Sequence, residues 1–263
     1  MAQPVIFNIC HLYPDLMNTY GDNGNIITIV KRCQWRGIDV KISNVSIGQP
    51  LSASDFDFFF FGGGQDKTQI IVGKDLMQKA KKLIAAINNK AVLLSICGGY
   101  QLLQNYFKTK EGEIINGISL FDAYTAGSKE RMIQDLLIEI DPELQNEIKN
   151  VYPAIEQSNC LTNLIGFENH SGKTYLGKNS KALGRVIKGA GNNNEDHTEG
   201  AVYKNAFGCY LHGSLLPKNS HFADYLISKA LERRYGPIKL KPLDDSLEWK
   251  AHNWMVDRVR NQG

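Results

Sequence analysis

The sequence predicts an α/β protein with a mostly parallel central sheet flanked by helices. Two observations lead to this fold class. Strand-like and helix-like patterns alternate along residues 4–107, as they do in right-handed βαβ units. Two apolar strands, residues 55–61 and 92–96, lead into glycine-containing turns, and parallel sheets bind ligands at such carboxyl ends of strands. We therefore expect a ligand site at one edge of the sheet.

The first half of the chain supplies most of this sheet. The predicted strands are residues 4–9, 38–43, 55–61 and 92–96. The predicted helices are residues 25–36, 74–88 and 100–107, because their apolar side chains recur at helical spacing. Gly37 is placed to cap the first of these helices.

The second half is less regular. Residues 114–140 indicate a strand pair, in which residues 136–140 are the clearest strand. Residues 164–187 indicate further short strands. A strand at residues 206–211 runs directly into His212, so this histidine is expected on a loop at a strand end.

Two helices are predicted at the end of the chain. The first covers residues 220–234 and the second covers residues 245–260. No composition shift marks a clear domain boundary. We expect residues 1–236 to form one domain, and residues 237–263 to be a helical tail packed on that domain or on a partner.

Composition argues against several functional classes. The net charge of +3, without a long run of lysine or arginine, argues against nucleic acid as a partner. No apolar run approaches the length of a membrane span, and the first ten residues lack the pattern of a signal peptide. Five cysteines without a CxxC pair or metal-binding spacing indicate a reduced protein. We therefore expect a cytoplasmic location and no metal site.

Cys97 stands at the corner of a predicted strand, turn and helix. Gly98 and Gly99 follow it, as in a nucleophile elbow, where a tight turn exposes the reactive atom above the sheet. A helix that begins beside the sulfur favours the thiolate over the thiol. The alternative is a free buried cysteine, which is common in protein cores.

A cysteine nucleophile needs a base, and the chain has six histidines. His212 stands out because it follows a predicted strand and precedes a glycine, so it lies at a strand end as Cys97 does. His170, in the segment ENHSG, is the second candidate. For His170 a structural role in holding its loop is favoured over catalysis.

The triple glycine Gly62–Gly64 offers backbone N–H groups that could stabilise an oxyanion when Cys97 attacks a carbonyl carbon. The N–H of Gly98 would be the second donor. A plain tight turn is the alternative. The triplet is not a phosphate-binding loop, because Gln65-Asp66-Lys67 follows it in place of a Lys-Ser/Thr pair.

Three motifs, FFFFGGGQD, SICGGYQLL and YLHG, occur in an order and at separations that resemble a class I glutamine amidotransferase domain. The CGGYQ elbow, and a glycine motif without proline, resemble the cobyric-acid-synthase-like branch. Within that branch, NxYxDxGN at residues 18–25, GFENHSGKTYLG and GNNNED are similar to the GatD family, the glutaminase subunits of lipid II isoglutaminyl synthase. The similarity covers residues 5–235.

The resemblance implies a flavodoxin-like class I glutaminase fold and hydrolysis of L-glutamine to glutamate and ammonia through a cysteine thioester. It implies that Cys97 is the nucleophile and His212 the base, with oxyanion donors at Gly64 and Gly98.

Two further residues are implied to bind the substrate. Arg131 falls where the family has a substrate-binding arginine, whose guanidinium can hold the α-carboxylate of glutamine with two hydrogen bonds. Gln101, in the first turn after Cys97, is expected either to contact glutamine or to pack within its helix.

The resemblance also implies a partner, a MurT-type Mur-ligase-like synthetase subunit. That subunit would bind ATP and magnesium and activate the D-glutamate of lipid II, and ammonia from this chain would convert it to D-isoglutamine. This chain is therefore expected to need no cofactor of its own. The remaining alternatives are a glutaminase for another, cobyrinate-type amidotransferase, another Cys–His hydrolase on the same fold, and a binding module without activity.

One position departs from the usual pattern of these triads. They carry His-x-Glu, whereas Ser214 stands two residues after His212 in this chain. A serine cannot stabilise an imidazolium by charge. The sequence therefore predicts either a Cys–His dyad or a carboxylate from elsewhere, such as Glu168 or a residue of the synthetase partner.

Overall fold

The structure, a computed structural model, describes residues 4–151 and 160–261. Its strands are β1 (Ile6–Leu12), β2 (Asp39–Val45), β3 (Phe58–Phe61), β4 (Val92–Ile96), β5 (Tyr106–Lys108), β6 (Ile114–Asn116), β7 (Ala123–Ile140), β8 (Asn163–Leu176), β9 (Gly184–Lys188), β10 (Thr198–Glu199), β11 (Ala201–Tyr203) and β12 (Ala206–Cys209). Its α-helices are α1 (Asn23–Gln34), α2 (Asp66–Asn88), α3 (Gly98–Leu102), α4 (Pro142–Val151), α5 (Ser220–Tyr235) and α6 (Ser246–Asn261).

The central sheet has the order β11-β12-β4-β3-β1-β2. Every neighbouring pair in it is parallel except β11 and β12. The predicted mostly parallel sheet is thus confirmed. The run β2-β1-β3-β4-β12 is the flavodoxin-like strand order, which changes winding direction between β1 and β3. Such sheets bind ligands outside the carboxyl ends of the strands near this switch point.

Helices cover both faces of the central sheet. The four phenylalanines of β3 are fully buried and alternate between two cores. Phe58 and Phe60 pack in the core that contains α1 and α5, and Phe59 and Phe61 pack in the core that contains α2. A strand buried on both faces is apolar throughout, which explains why β3 shows no alternation of polar and apolar residues.

A second sheet, of order β10-β9-β7-β5-β6 with β8 paired to β7, lies beside the first. All its pairs except β5 with β7 are antiparallel. Its centre is the long pair of β7 and β8, where the sequence predicted short strands. The register of that pair shifts between Gly127 and Met132. The pair also reaches the central sheet, because the backbones of Phe167 and His212 exchange two hydrogen bonds, of 3.2 and 2.7 Å.

Two predicted helix boundaries are wrong. Helix α2 begins at Asp66, eight residues before the predicted start, and Gly73 lies inside it against the side chains of Ile115 and Leu102. Helix α3 ends at Leu102, and Tyr106–Lys108 forms β5. Pairing with β6 and β7 decides this segment, although its apolar spacing suits a helix as well.

Helix α6 packs on β7 and β8 of its own chain. Val256 and Val259 of the helix share a small apolar cluster with Leu137 and Ile165 of the strands. The Nδ1 of His252 lies 2.8 Å from the main-chain oxygen of Lys218, in the segment that follows His212, and forms a hydrogen bond with it. No helix in the described ranges is long and apolar enough to cross a membrane.

Candidate active site

The site lies at the carboxyl edge of the central sheet. Four neighbouring parallel strands each contribute one part of it: Asp22 after β1, the glycines after β3, Cys97 after β4, and His212 after β12. The strand order, and not proximity in sequence, brings these loops together. This is the edge that the sequence predicted for a ligand.

Cys97 forms a strained corner between β4 and α3. Its backbone has φ 49° and ψ −108°, outside the usual regions for a side-chain-bearing residue. The next turn is packed so closely that a methyl group on Gly99 would lie 2.6 Å from the carbonyl oxygen of Phe61. The corner therefore has the geometry of a nucleophile elbow, with glycine required behind the sulfur.

The structure joins His212 to a carboxylate that the sequence did not single out. The Nδ1 of His212 lies 3.1 Å from the Oδ1 of Asp22, and both side chains are fully buried. A methyl group on Gly63 would lie 2.8 Å from His212 Cε1, 3.2 Å from Asp22 Oδ2 and 3.5 Å from Cys97 Cβ. Cysteine, histidine and aspartate thus surround one glycine, in the arrangement of a nucleophile, base and orienting acid.

The charges of this cluster favour a protonated imidazole. Burial disfavours the imidazolium, but the negative charge of the Cys97 thiolate and the hydrogen bond and charge of Asp22 outweigh it and raise the pKa of His212 to about 10. The Nε2 of His212 is buried, and apart from its interaction with Cys97 it has no hydrogen-bond partner among the described residues. It is therefore free to exchange a proton with the nucleophile and with a bound substrate.

Ser214 and Glu168 have other roles than orienting His212. The hydroxyl of Ser214 donates to the carbonyl oxygen of Gly21, 2.6 Å away, and so supports the loop that carries Asp22. The carboxylate of Glu168 accepts the backbone N–H groups of Ala190 and Gly191 at 2.6 and 2.9 Å. The suggestion that Glu168 supplies the acid is therefore wrong, because its oxygens are directed to that loop.

The two expected oxyanion donors lie side by side. A methyl group on Gly98 would lie 2.8 Å from the backbone nitrogen and from the carbonyl oxygen of Gly64. Across the described ranges, neither the Gly64 N–H nor the Gly98 N–H donates to another group. Gly63, the residue before Gly64, instead donates its N–H to Asp22 Oδ2 at 2.7 Å. Two unpaired N–H groups beside Cys97 suit a developing oxyanion.

A cavity of about 410 Å³ opens above Cys97, and Gly64, Gln101 and Arg131 line it. Arg131, on β7, donates to Asn169 at 2.8 Å and to the hydroxyl of Tyr20 at 3.2 Å. The structure thus brings three of the candidate substrate-binding residues to the same cavity as Cys97, and the fourth, Gly98, lies directly after Cys97 in the chain. Within the described ranges, no three His, Cys, Asp or Glu side chains are grouped to hold a metal ion.

Gln101 and His170 lie in the cavity wall, where the amide of Gln101 and the Nδ1 of His170 are engaged in hydrogen bonds. The amide of Gln101 donates to Tyr210 and accepts from Gln69, each at 3.0 Å. His170 stacks on Tyr210 with ring centroids 3.6 Å apart, and its Nδ1 lies 2.8 Å from the oxygen of Gly172. These contacts fit packing and loop-holding roles.

Asp22 is the functional residue that sequence reasoning missed. Its signal was present, because it lies in the NxYxDxGN motif that follows the first strand. The chain distance hid it, since 190 positions separate Asp22 from His212. The sequence suggested Glu168 or a residue of the partner, whereas the order of the strands from β1 to β12 sets the actual neighbour of His212.

Comparison with known proteins identifies the family of this chain. A model of the CobB/CobQ-like glutamine amidotransferase domain matches residues 8–220. The chain is 36% identical over 254 residues to the GatD subunit of the glutamine-hydrolysing lipid II isoglutaminyl synthase of Staphylococcus aureus, covering 97% of this chain and 96% of that one. The Streptococcus pneumoniae GatD subunit is 39% identical over 246 residues, with coverage of 93% and 88%. A probable cobyric acid synthase of Methanocaldococcus jannaschii is 26% identical over 84% of this chain and 46% of its own length.

Solved structures agree on the fold. A crystal structure of a glutamine amidotransferase superposes with a TM-score of 0.53 at 13% identity, covering 84% of this chain and 98% of that one. The glutaminase domain of Trypanosoma brucei CTPS with bound acivicin superposes with a TM-score of 0.52 at 11% identity, with coverage of 89% and 98%. At such identities the likeness shows a shared class I glutaminase fold, and the family follows from the sequence matches. The chain belongs to the CobB/CobQ-like glutamine amidotransferase family.

Proposed function

We propose that this chain is the glutamine-hydrolysing subunit of a lipid II isoglutaminyl synthase. The observation that carries the catalytic part is the contact of Asp22, His212 and Cys97 beneath a cavity lined by Gly64 and Arg131. The similarity to two GatD subunits along nearly the whole chain supports the assignment to that synthase.

In the proposed reaction, the thiolate of Cys97 attacks the side-chain amide carbon of glutamine. The N–H groups of Gly64 and Gly98 stabilise the oxyanion of the tetrahedral intermediate. His212 donates its proton to the departing nitrogen, so ammonia leaves and a γ-glutamyl thioester remains on Cys97. His212 then takes a proton from water, which attacks the thioester and releases glutamate. Asp22 keeps the imidazole oriented and stabilises its charged form throughout.

The ammonia is proposed to pass to a MurT-type Mur-ligase-like subunit in the cytoplasm. That partner would use ATP and magnesium to activate the α-carboxylate of the D-glutamate in lipid II, and amidation would give D-isoglutamine. The glutaminase chain itself is then expected to need only its own side chains and water.

Ammonia release from free glutamine tests the catalytic part of the proposal. Wild-type chain is expected to release ammonia, and the Cys97→Ala variant to release none above background. The Cys33→Ala variant is a matched control, because Cys33 is a buried thiol in the core that contains α1. Release that persists unchanged in Cys97→Ala would overturn the glutaminase assignment.

Reconstitution tests the acceptor. The chain is combined with a purified MurT-type ligase, ATP, magnesium, glutamine and lipid II, and the stem peptide is analysed by mass spectrometry. We expect Cys97-dependent conversion of D-glutamate to D-isoglutamine. Amidation of a cobyrinic acid substrate by a cobyrinate-type synthetase, with none of lipid II, would assign the chain to the alternative synthetase.

A further inference from the structure

Three charged residues line the active-site cavity, Arg131, Asp66 and Lys67, and none of them forms an ion pair within the described ranges. Arg131 and Asp66 both line the cavity that contains Cys97, and Asp66 is the only carboxylate among its described lining residues. Arg131 comes from β7 of the second sheet, whereas Asp66 is the first residue of α2 beside the central sheet. The β7 wall of the cavity therefore carries the Arg131 cation, and the α2 wall carries the Asp66 carboxylate, with the Lys67 ammonium next to it in sequence.

Arg131 is held in place by neutral partners. It donates from Nε to Asn169 and from Nη2 to Tyr20, and it has no carboxylate within 4 Å in the described ranges. These bonds fix the guanidinium plane while leaving both Nη1 hydrogens unused. An oriented guanidinium with unused donors is suited to bind a carboxylate.

Asp66 is the complementary group. Its carboxylate forms no ion pair and no hydrogen bond to another described residue, although its own backbone N–H lies close to it. Partial burial and the charge of nearby Glu111 raise the pKa of Asp66, and they outweigh its own backbone hydrogen bond and the charge of Arg131, which lower it. A cation that enters the cavity would stabilise the Asp66 carboxylate against both burial and the repulsion from Glu111. Asp66 also follows Gly64 by only two residues, so its position is tied to the oxyanion donor.

Glutamine has charges that match Arg131 and Asp66. Its α-ammonium and α-carboxylate are on one carbon, three bonds from the amide carbon that Cys97 attacks. We propose that Asp66 binds the α-ammonium group of glutamine while Arg131 binds its α-carboxylate, so that the cavity selects a free amino acid over an amide within a peptide. This inference rests on the proposed glutaminase function and adds a specificity residue to it.

The test compares substrates that differ only in the α-ammonium group. Asp66→Asn and wild-type chains are assayed for ammonia release from L-glutamine and from 4-carbamoylbutanoate, which lacks that group. We expect Asp66→Asn to raise KM for glutamine by about 10–100-fold, the range for one charge-assisted hydrogen bond, with kcat changed by less than about threefold. Its kinetics with 4-carbamoylbutanoate should match those of wild type.

If 4-carbamoylbutanoate is hydrolysed too slowly to measure, product inhibition can compare ligands with and without the α-ammonium group instead. The inhibition constant of L-glutamate should rise in Asp66→Asn by a factor similar to the KM of glutamine, and that of glutarate should not change. Glu111→Gln is the matched control, because it removes a carboxylate near Asp66 that does not line the cavity. Glu111→Gln should leave the KM of both substrates and the inhibition constants of L-glutamate and glutarate within about twofold of wild type, as expected for a screened surface charge.

Two results would overturn the inference. One is an equal effect of Asp66→Asn on substrates with and without the ammonium group, which would show a structural role. The other is no effect on either. Failure of the proposed function gives a different result, because wild-type chain would then release no Cys97-dependent ammonia from glutamine at all.

Discussion

At the scale of single residues, Asp22 places a carboxylate of this chain beside His212. Its two oxygens are shared between His212 and the N–H of Gly63, so one carboxylate fixes both the base and the glycine turn. Ser214 braces the same loop through Gly21. The carboxylate that this chain lacks two residues after its histidine is thus supplied from the opposite end of the sequence.

Replacing Asp22 should impair catalysis more than folding. We expect Asp22→Asn to lower kcat by about 10²–10⁴-fold, because an amide can hold the imidazole in the wrong tautomer and carries no charge. Loss of that charge should also lower the pKa of His212, so the alkaline limb of the kcat/KM profile should move to lower pH. Ammonia release measured from pH 6 to 10 checks both effects.

Ser214→Ala is the comparison for that experiment. It removes a contact of the Asp22 loop but no charge, so its effect should stay below about tenfold. An Asp22→Asn variant with wild-type activity and an unchanged pH profile would show that a Cys–His dyad suffices, and would remove Asp22 from the mechanism.

At the scale of elements, the turns after β3 and β4 carry the proposed nucleophile and oxyanion donors, and both turns depend on glycine. Helix α3 is only five residues long, so its role is to position Cys97 and Gly98 more than to add a large packing surface. The β3 turn contacts it directly, because the Gly99 N–H donates to the oxygen of Gly62 at 3.2 Å. Nucleophile and oxyanion donors are therefore positioned as one unit.

A single methyl group in this unit should disrupt the active site. We expect Gly63→Ala to lower kcat/KM by about 100-fold or more, because its Cβ would lie 2.8 Å from His212 Cε1 and would displace the base. Gly73→Ala, within α2, is the matched control, since its Cβ would meet the side-chain ends of Ile115 and Leu102 at 3.3 Å and the backbone oxygen of Asn116 at an ordinary contact distance of 3.9 Å. Steady-state kinetics and thermal unfolding of both variants check this, and a fully active Gly63→Ala would contradict it.

At the scale of the whole molecule, the buried side chain of Glu199 links the two sheets. Glu199, on β10 of the second sheet, is fully buried and accepts the backbone N–H of Tyr210 at the end of β12. Its other oxygen, Oε2, has no hydrogen-bond partner among the described residues. Burial raises the pKa of Glu199 to about 8, so the folded chain keeps this carboxyl protonated near neutral pH.

This acid should make stability depend on pH. The folded pKa of Glu199 lies above its ordinary value of 4.5, so its contribution is fully present below pH 4.5 and is lost as the pH rises through about 8. Glu199→Gln, a neutral mimic, should lose less Tm than wild type between pH 6 and pH 9. We expect the difference to be about 3–8 °C, equivalent to 1–2 kcal/mol in a domain of this size.

Thermal unfolding at several pH values checks the expectation. Glu139→Gln is the control, because Glu139 is an exposed carboxylate on β7 and its removal should leave the pH dependence as in wild type. Parallel curves for Glu199→Gln and wild type would show that Glu199 does not titrate between pH 6 and 9 in the folded chain.

Periodicity and turn residues in the sequence determined the parallel sheet, the elbow at Cys97, the glycine turn and the strand-end position of His212. These features are local, because burial on both faces and tight turns leave their pattern within a few neighbouring residues. The extents of α2, α3, β7 and β8 were predicted less well, since apolar spacing alone does not tell a short helix from a strand that finds a partner.

Only the tertiary structure decided which carboxylate lies beside His212 and which charged residues line the cavity. Asp22 reaches His212 across 190 positions because four parallel strands bring their carboxyl ends to one edge. Arg131 and Asp66 meet at one cavity because the β7–β8 pair lies beside that edge. Such neighbours depend on strand order and sheet packing, which a linear pattern of residue types does not encode.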